Sequence, residues 1–271
     1  MNEENEGRKS SRRILSIPLV AATLGIGIAL VCLSALLLNL FVTGSELNGV
    51  IPYNIRVDGT HLMADILYLD SAYVIYDIDY AESDGIVTLH AKGLPPNFHH
   101  RENDRIVSVE YEATEPIRQV RTTERVFWAD GEEITALASD IYATRHDYIG
   151  DMPADNRTAN ALNISRRLGG YGNEFFTSQR PYVWKLALRE DVAAERRASL
   201  ESDMESFGYI LLAVVGNLDE VRYEYTANGA TTEKAVTVKN ATDFFGQNIK
   251  DCGGNIRLLN KLIRRLELSG D

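Results

Sequence analysis

From Ile14 to Val42 the chain carries no charged side chain (ILSIPLVAATLGIGIALVCLSALLLNLFV). About 20 apolar residues span the hydrocarbon core of a bilayer, so this run is long enough to cross with some tilt. Pro18, Gly25 and Gly27 within it are tolerated in membrane helices. Arg8, Lys9, Arg12 and Arg13 precede the run, and the first charge after it is Glu46. That asymmetry predicts a basic cytoplasmic tail over 1–13, a transmembrane helix over 14–42 and an outward-facing remainder. A cleaved signal peptide would have a shorter apolar core and a small-residue exit, which LNLFVTGSEL is not. A lipoprotein reading would end the core at Cys32, but Val31 before it is not small and a further uncharged stretch follows. The pattern therefore predicts an uncleaved single-pass anchor.

Beyond the anchor the period changes to two. NIRVDG, HLMADILYL, AYVIYDIDY, IVTLHAKG, RIVSVEYEA and PIRQVRTTERVFW read as short strands. In AYVIYDIDY, Tyr73, Ile75, Asp77 and Asp79 fall on one side and Val74, Tyr76, Ile78 and Tyr80 on the other, as in a half-buried strand. ESDG is a turn, and LPPNFHHREND is a polar, proline-bearing loop. Strands at this spacing with no helix between them predict an all-β, sandwich-like domain over 44–137, with immunoglobulin-like architecture possible. The Cys–Trp–Cys pattern of true immunoglobulin domains is absent.

Near residue 134 the period changes again. ITALASDIYATRH suits a short helix or an extended linker. From Asp155, DNRTANALNISRRLGG has an acid first, bases last and glycines after, the order expected of a helix. QRPYVWKLALRED reads as a strand. AERRASLESDMESFGYILLAVVGNLDE is the longest helical pattern, and its YILLAVV end is apolar nearly all round, hence buried. VRYEYTANGATTEKAVTVKN is a β-hairpin with an Asn-Gly turn. NIRLLNKLIRRLEL is a basic amphipathic helix with Ile256, Leu259, Ile263 and Leu266 as its apolar stripe. The order α-β-α-β-β-α predicts, over 138–271, a small α+β domain with helices on one face of an antiparallel sheet.

Composition narrows the partners. The 28 basic and 39 acidic residues give a net charge of −11, and because the tail ahead of the anchor is itself basic, the portion beyond the anchor is no less acidic than the whole. Phosphate binding along nucleic acid needs clustered Lys and Arg, so nucleic acid is excluded as a partner. An anionic membrane surface is disfavoured as the main ligand of the outer part on the same ground. The two cysteines, Cys32 in the apolar run and Cys252 downstream, would lie in different phases and do not pair. Stability must come from an apolar core, which the length permits.

The candidate chemistry is concentrated in one stretch, TRHDYIGDMPADNRTANAL. Asp147, Asp151 and Asp155 recur every four residues, and His146 adjoins the first. Such carboxylates and a His–Asp pair are the residue types of acid–base and nucleophile-activating chemistry. No G-x-S-x-G, S-x-x-K or papain-like cysteine signature accompanies them. Asp151, Asp155 and Asn156 offer oxygen ligands, but not at the spacing of a calcium loop. As structure, Gly150 suits a turn with positive φ, Tyr148 and Ile149 pack beneath a helix, Asp155 or Asn156 caps it, and Pro153 fixes its approach. His99 and His100, with His61 and His90, lack the spacing of converging metal ligands. Cys252 is a single thiol beside a flexible turn. The structural reading accounts for every one of these residue types, so no catalytic, cofactor-binding or metal residue is assigned, and no cofactor is implied.

YIGD with the polar helix start after it, RPYVWKLAL, FGYILLAVVGNLDEVRYEY and the C-terminal FFG…LLNKLI together resemble domain-of-unknown-function family 4825 over about 138–268. Tyr148, Gly150, Asp151 and the helix end running into Asn217–Val221 carry the resemblance most strongly. It implies a Gram-positive bacterial, extracytoplasmic domain behind an N-terminal helix, and it supplies no catalytic residue. In such a host the sequons at Asn156, Asn163 and Asn240 are coincidental. The expectation is a single-pass protein whose ectodomain serves interaction or sensing, with other membrane or cell-envelope proteins as partners. Two alternatives stand beside it. One is a cell-envelope enzyme centred on His146, Asp147 and Asp151, whose side chains would then converge in one concave pocket. The other is an accessory or inhibitory subunit of a membrane enzyme.

Overall fold

The structure, a computed structural model, describes residues 16–38, 42–96 and 106–268. It is a mixed α and β fold with several sheets and helices. Helix α1 (Ser16–Leu38) covers most of the charge-free run. Its side chains are described at residue 22 and over 24–38, where the large apolar ones are exposed. Among the described residues no helix is long and apolar enough to cross a membrane. His99 and His100 lie outside the described residues.

The strands follow the alternation. They are β1 (Ser45–Glu46), β2 (Ile51–Asp58), β3 (His61–Leu67), β4 (Val74–Ser83), β5 (Ile86–Leu94), β6 (Ile106–Glu112), β7 (Gln119–Arg121), β8 (Val126–Ala129) and β9 (Glu132–Glu133). One sheet runs β1-β5-β7-β8-β9, with β4 also on β5, and a second runs β2-β3-β6. In β5 the alternation is clean: Val87, Leu89 and Ala91 are buried and their neighbours are half-buried. By contacts the chain divides into two compact units, 1–54 with 64–81 and 89–109, and 55–63 with 82–88 and 110–271.

In the first unit, Ser45 and Glu46 pair antiparallel with Gly93 and Lys92. A Cβ on Gly93 would collide with Leu47, so glycine lets that apolar side chain close on the sheet. Asp65 accepts from Asn54 Nδ2 at 2.9 Å and from Ser108 Oγ at 2.7 Å.

The second unit holds the larger core. Its helices are α2 (Ala136–Ala143), α3 (Met152–Ala161), α4 (Ile164–Leu168), α5 (Arg197–Val214), α6 (Val238–Phe245), α7 (Asp251–Gly254) and α8 (Ile256–Arg265). Its remaining strands are β10 (Tyr171–Phe176), β11 (Val183–Leu188), β12 (Glu220–Ala227) and β13 (Ala230–Thr237), in the order β10-β11-β12-β13. The pattern predicts an antiparallel sheet, and the structure corrects this: β11 and β12 run parallel, in the register Trp184↔Val221 and Leu186↔Tyr223. The reason is α5, which carries the chain back between the two strands, and a parallel pair requires such a crossover. β10 is a strand the sequence reading omitted, because YGNEFF lacks clean alternation. β12 and β13 form the expected hairpin, with Asn228 and Gly229 both at positive φ, as a two-residue turn requires.

One face of the sheet is core: Trp184, Leu186, Val221, Tyr223 and Val236 are buried. The opposite face carries Lys185, which bridges to Glu224 at 2.8 Å. The YILLAVV end of α5 is enclosed on all sides, as its composition requires. Asn260 of α8 is buried and satisfied. Its oxygen accepts from Thr135 N and Oγ1, each at 3.1 Å, and its amide donates to Glu133 O at 3.0 Å.

The helix read from Asp155 begins earlier and breaks. Asp151 is its N-cap, accepting from Ala154 N at 3.2 Å, with proline in the first turn. This corrects the expectation that Asp155 or Asn156 caps it. Asn163 adopts a left-handed conformation (φ 52°) and divides α3 from α4. Tyr148, expected beneath the helix, is 70% exposed, whereas Ile149 is buried. Ile149, whose N–H donates to Asn217 Oδ1 at 2.7 Å, joins the core, whereas Tyr148 before it lines an open concavity with Asp147 and Asp151.

Candidate functional site

The segment between α2 and α3 is tied to the end of α5 by a short parallel bridge. His146 N donates to Val214 O at 3.1 Å, Gly216 N to His146 O at 2.8 Å, and Asn217 N to Asp147 O at 2.9 Å. The side chain of Asn217 completes it, accepting from Ile149 N at 2.7 Å. A Cβ at Gly216 would lie 3.1 Å from Asp147 Cα and O, so the close approach of the two segments depends on that glycine. Asn217, Gly150 and Asp151 are therefore parts of one joint. Asn217 closes the bridge, Gly150 makes the turn and Asp151 caps the helix.

At the centre of the joint is a hydrogen-bonded histidine–aspartate pair. His146 Nε2 lies 2.9 Å from Asp155 Oδ1, and its Nδ1 lies 3.1 Å from Thr144 O. Both ring nitrogens thus face acceptors. A neutral imidazole has one N–H and would satisfy one of them, whereas the imidazolium satisfies both. Burial pushes the His146 pKa down, but the bonds to Asp155 and Thr144 outweigh it and the net direction is up. Asp155 is fully enclosed, and its second oxygen accepts from Gly150 N at 2.9 Å. Thr158, also buried, donates its hydroxyl within the same network, with Thr144 O and Ala154 O each 3.2 Å away.

Beside the joint is a concavity of about 690 Å³. Arg145, His146, Asp147, Tyr148, Asp151 and Lys250 line it. The three residues of the enzyme alternative do share one pocket, as that reading requires. Their bonding opposes it: both ring nitrogens of His146 are engaged, by Asp155 and by Thr144 O, and one Asp151 oxygen caps α3. Lys250, which the sequence reading did not single out, donates to Val215 O at 2.8 Å and Leu218 O at 2.6 Å. It satisfies carbonyls where α5 ends. Burial lowers its pKa to about 8, with Asp219 acting upward and Arg180 downward. In the sequence Asp155 stands as a cap, an oxygen ligand or one of three evenly spaced carboxylates near His146. Nothing in the helical period marks it as the partner of a histidine nine residues back.

The other candidates are dispersed. His61 lies 3.1 Å from both Glu110 and Glu112, and His90 lies 3.1 Å from Glu46. Among the described residues no three His, Cys, Asp or Glu side chains group as metal ligands would. Cys252 is buried, and burial, with Asp251, pushes its thiol up to about 12, the direction of an inert structural cysteine.

No curated protein and no solved structure matches the chain. Residues 141–238, from the last turn of α2 through the joint and the sheet to the end of the hairpin, match the family described as Domain of unknown function (DUF4825).

Proposed function

We propose that this chain is a single-pass membrane protein whose outward-facing part works by binding, as an interaction or sensing module, and not by catalysis. In this reading 14–42 is the anchor, 44–137 a sandwich-like β domain and 138–271 the α+β domain, in a Gram-positive envelope. The observation that carries it is the charge-free run behind a basic tail, together with large apolar side chains exposed all round α1 from Leu24 to Leu38. Such a surface is matched to lipid. The bonding of the joint favours binding over catalysis, since the histidine and the helix-capping aspartate are engaged structurally.

Two measurements test it. The protein should stay in the membrane pellet through alkaline carbonate, and added protease should digest a C-terminal tag on cells stripped of their wall. Release by carbonate, or a tag protected until lysis, would sink the reading. One observation favours the enzyme alternative, the shared concavity of His146, Asp147 and Asp151. That alternative requires His146 to titrate as a free base, which nuclear magnetic resonance of the imidazole would show.

A further inference from the structure

The concavity beside the joint is lined by charges of both signs, Arg145 and Lys250 against Asp147 and Asp151. Among the described residues no ion pair joins the two sets, and each charge is held by a separate constraint. Lys250 donates to Val215 O and Leu218 O where α5 ends. The other described lysines, Lys92, Lys185, Lys234, Lys239 and Lys261, each bridge to a carboxylate instead. An ammonium has three N–H donors, so Lys250 keeps one for a ligand. Arg145 gives Nη1 to Tyr142 O at 2.7 Å and lies over the Tyr142 ring, with no carboxylate in reach among the described residues. On the acidic side, Asp151 uses Oδ1 for the cap and keeps Oδ2. Asp147 is fixed through its backbone carbonyl, which accepts from Asn217 N, and its carboxylate takes no bond among the described residues. Tyr148, 70% exposed, adds an aromatic ring to the same lining, and such a ring attracts an ammonium. A simple anion here would meet the two carboxylates, and a simple cation the two cations. A zwitterion matches both. Its charges must stand apart, because the lining charges lie beyond ion-pair distance of one another. In a free α-amino acid the two charges share one carbon, whereas in a short peptide they lie at opposite ends. The volume, about 690 Å³, falls within the range of about 300–1,000 Å³ usual for small-ligand sites.

We propose that this concavity binds a short peptide with free termini, its carboxylate on Arg145 and Lys250 and its ammonium on Asp147, Asp151 and the ring of Tyr148. This rests on the binding reading above and gives it a ligand class, but it does not depend on the anchor. It is measured on purified protein, so a failed topology experiment leaves it standing, and absent binding leaves the membrane assignment standing.

The test is calorimetric titration of the full chain in neutral lipid nanodiscs at pH 7 with triglycine, N-acetyl-triglycine, triglycine amide and glycine. Triglycine should saturate a single site. Blocking either terminus removes one charged contact and should weaken binding at least about tenfold. Glycine, whose charges are adjacent, should bind more weakly by a similar factor. Asp147→Asn and Arg145→Gln change exposed side chains, so thermal unfolding should be little altered in either. In Asp147→Asn the penalty for acetylating the peptide should shrink, and in Arg145→Gln the penalty for amidating it should shrink. A merely structural role for these side chains would move neither penalty. Absence of saturable triglycine binding, glycine as tight as triglycine, or both penalties unchanged in the variants would overturn the proposal.

Discussion

The carboxylate of Asp155 is fully buried, and a buried charge survives only where its partners compensate it. Its partners are His146 and Gly150 N–H, so removing the carboxylate leaves the imidazole and a backbone donor unmatched. Asp155→Ala should cost about 3 kcal/mol, in the range for breaking a buried pair. Asp155→Asn should cost less. Its amide can donate to a neutral imidazole while its oxygen keeps the bond to Gly150. The pH dependence separates these cases. Because the folded pKa of His146 is raised, its contribution is complete below the unfolded value of about 6.5 and is lost as pH rises through the folded value. Lys250 has the opposite sign. Its folded value of about 8 lies below its unfolded one, so the penalty of its charge is relieved as pH rises past 8. Urea unfolding of wild type and both variants between pH 5 and 9 checks the histidine specifically. The gap between wild type and Asp155→Asn should narrow as pH rises. A gap constant with pH would mean that His146 is neutral in the folded protein.

At the scale of elements, α5 organises the sheet, and one glycine fixes their spacing. A Cβ at Gly208 would lie 2.9 Å from Val236 Cβ and Cγ1 on β13, where neither side is free to move. Alanine in mid-helix gains about 1 kcal/mol in propensity, but overpacking of this kind costs about 1–3 kcal/mol. Gly208→Ala should therefore be neutral to destabilising. Val236→Ala removes the Cγ contacts but keeps Cβ, so the cost of Gly208→Ala should be smaller in the Val236→Ala background than in wild type, although Val236→Ala by itself destabilises. Simple additivity in a double-mutant cycle would refute the contact. Neither the close approach nor the parallel pairing was legible, for a related reason. Period-two alternation tells which residues face the core, but not which strand lies alongside or in which direction it runs. The hairpin was legible because Asn228-Gly229 fixes its neighbour locally, and α8 because Ile256, Leu259 and Ile263 are all buried on one stripe. Of the joint, the Gly150 turn could be read, since only local backbone geometry decides it. The His146–Asp155 pair could not, because it depends on where α3 starts, and the cap lay four residues earlier than the pattern suggested.

Across the whole molecule, apolar exposure is distributed unevenly. Outside α1 the exposed large apolar side chains are scattered, among them Leu69, Tyr76, Ile106, Tyr148 and Phe176, as is ordinary for a folded surface. In α1, Leu24, Ile26, Ile28, Leu30, Val31 and Leu33 are all about half exposed or more. At 3.6 residues per turn they point in every direction, so a single helical neighbour would cover only part of them. Each gains about 2 kcal/mol on leaving water, and a bilayer covers all of them at once. If the proposed anchor is what holds the chain at the membrane, charge near its centre should undo it. Lysine near mid-bilayer costs about 3 kcal/mol by insertion measurements. Leu30→Lys/Leu33→Lys should therefore move the protein from the carbonate-resistant pellet toward the soluble fraction. Leu30→Ala/Leu33→Ala, which shortens the same side chains without charge, should not. The joint offers an internal control, because His146 and Asp155 lie far along the chain from α1. The pH dependence of unfolding should then be the same in the lysine variant as in wild type. Retention of the lysine variant in the pellet would instead place the membrane attachment outside this helix.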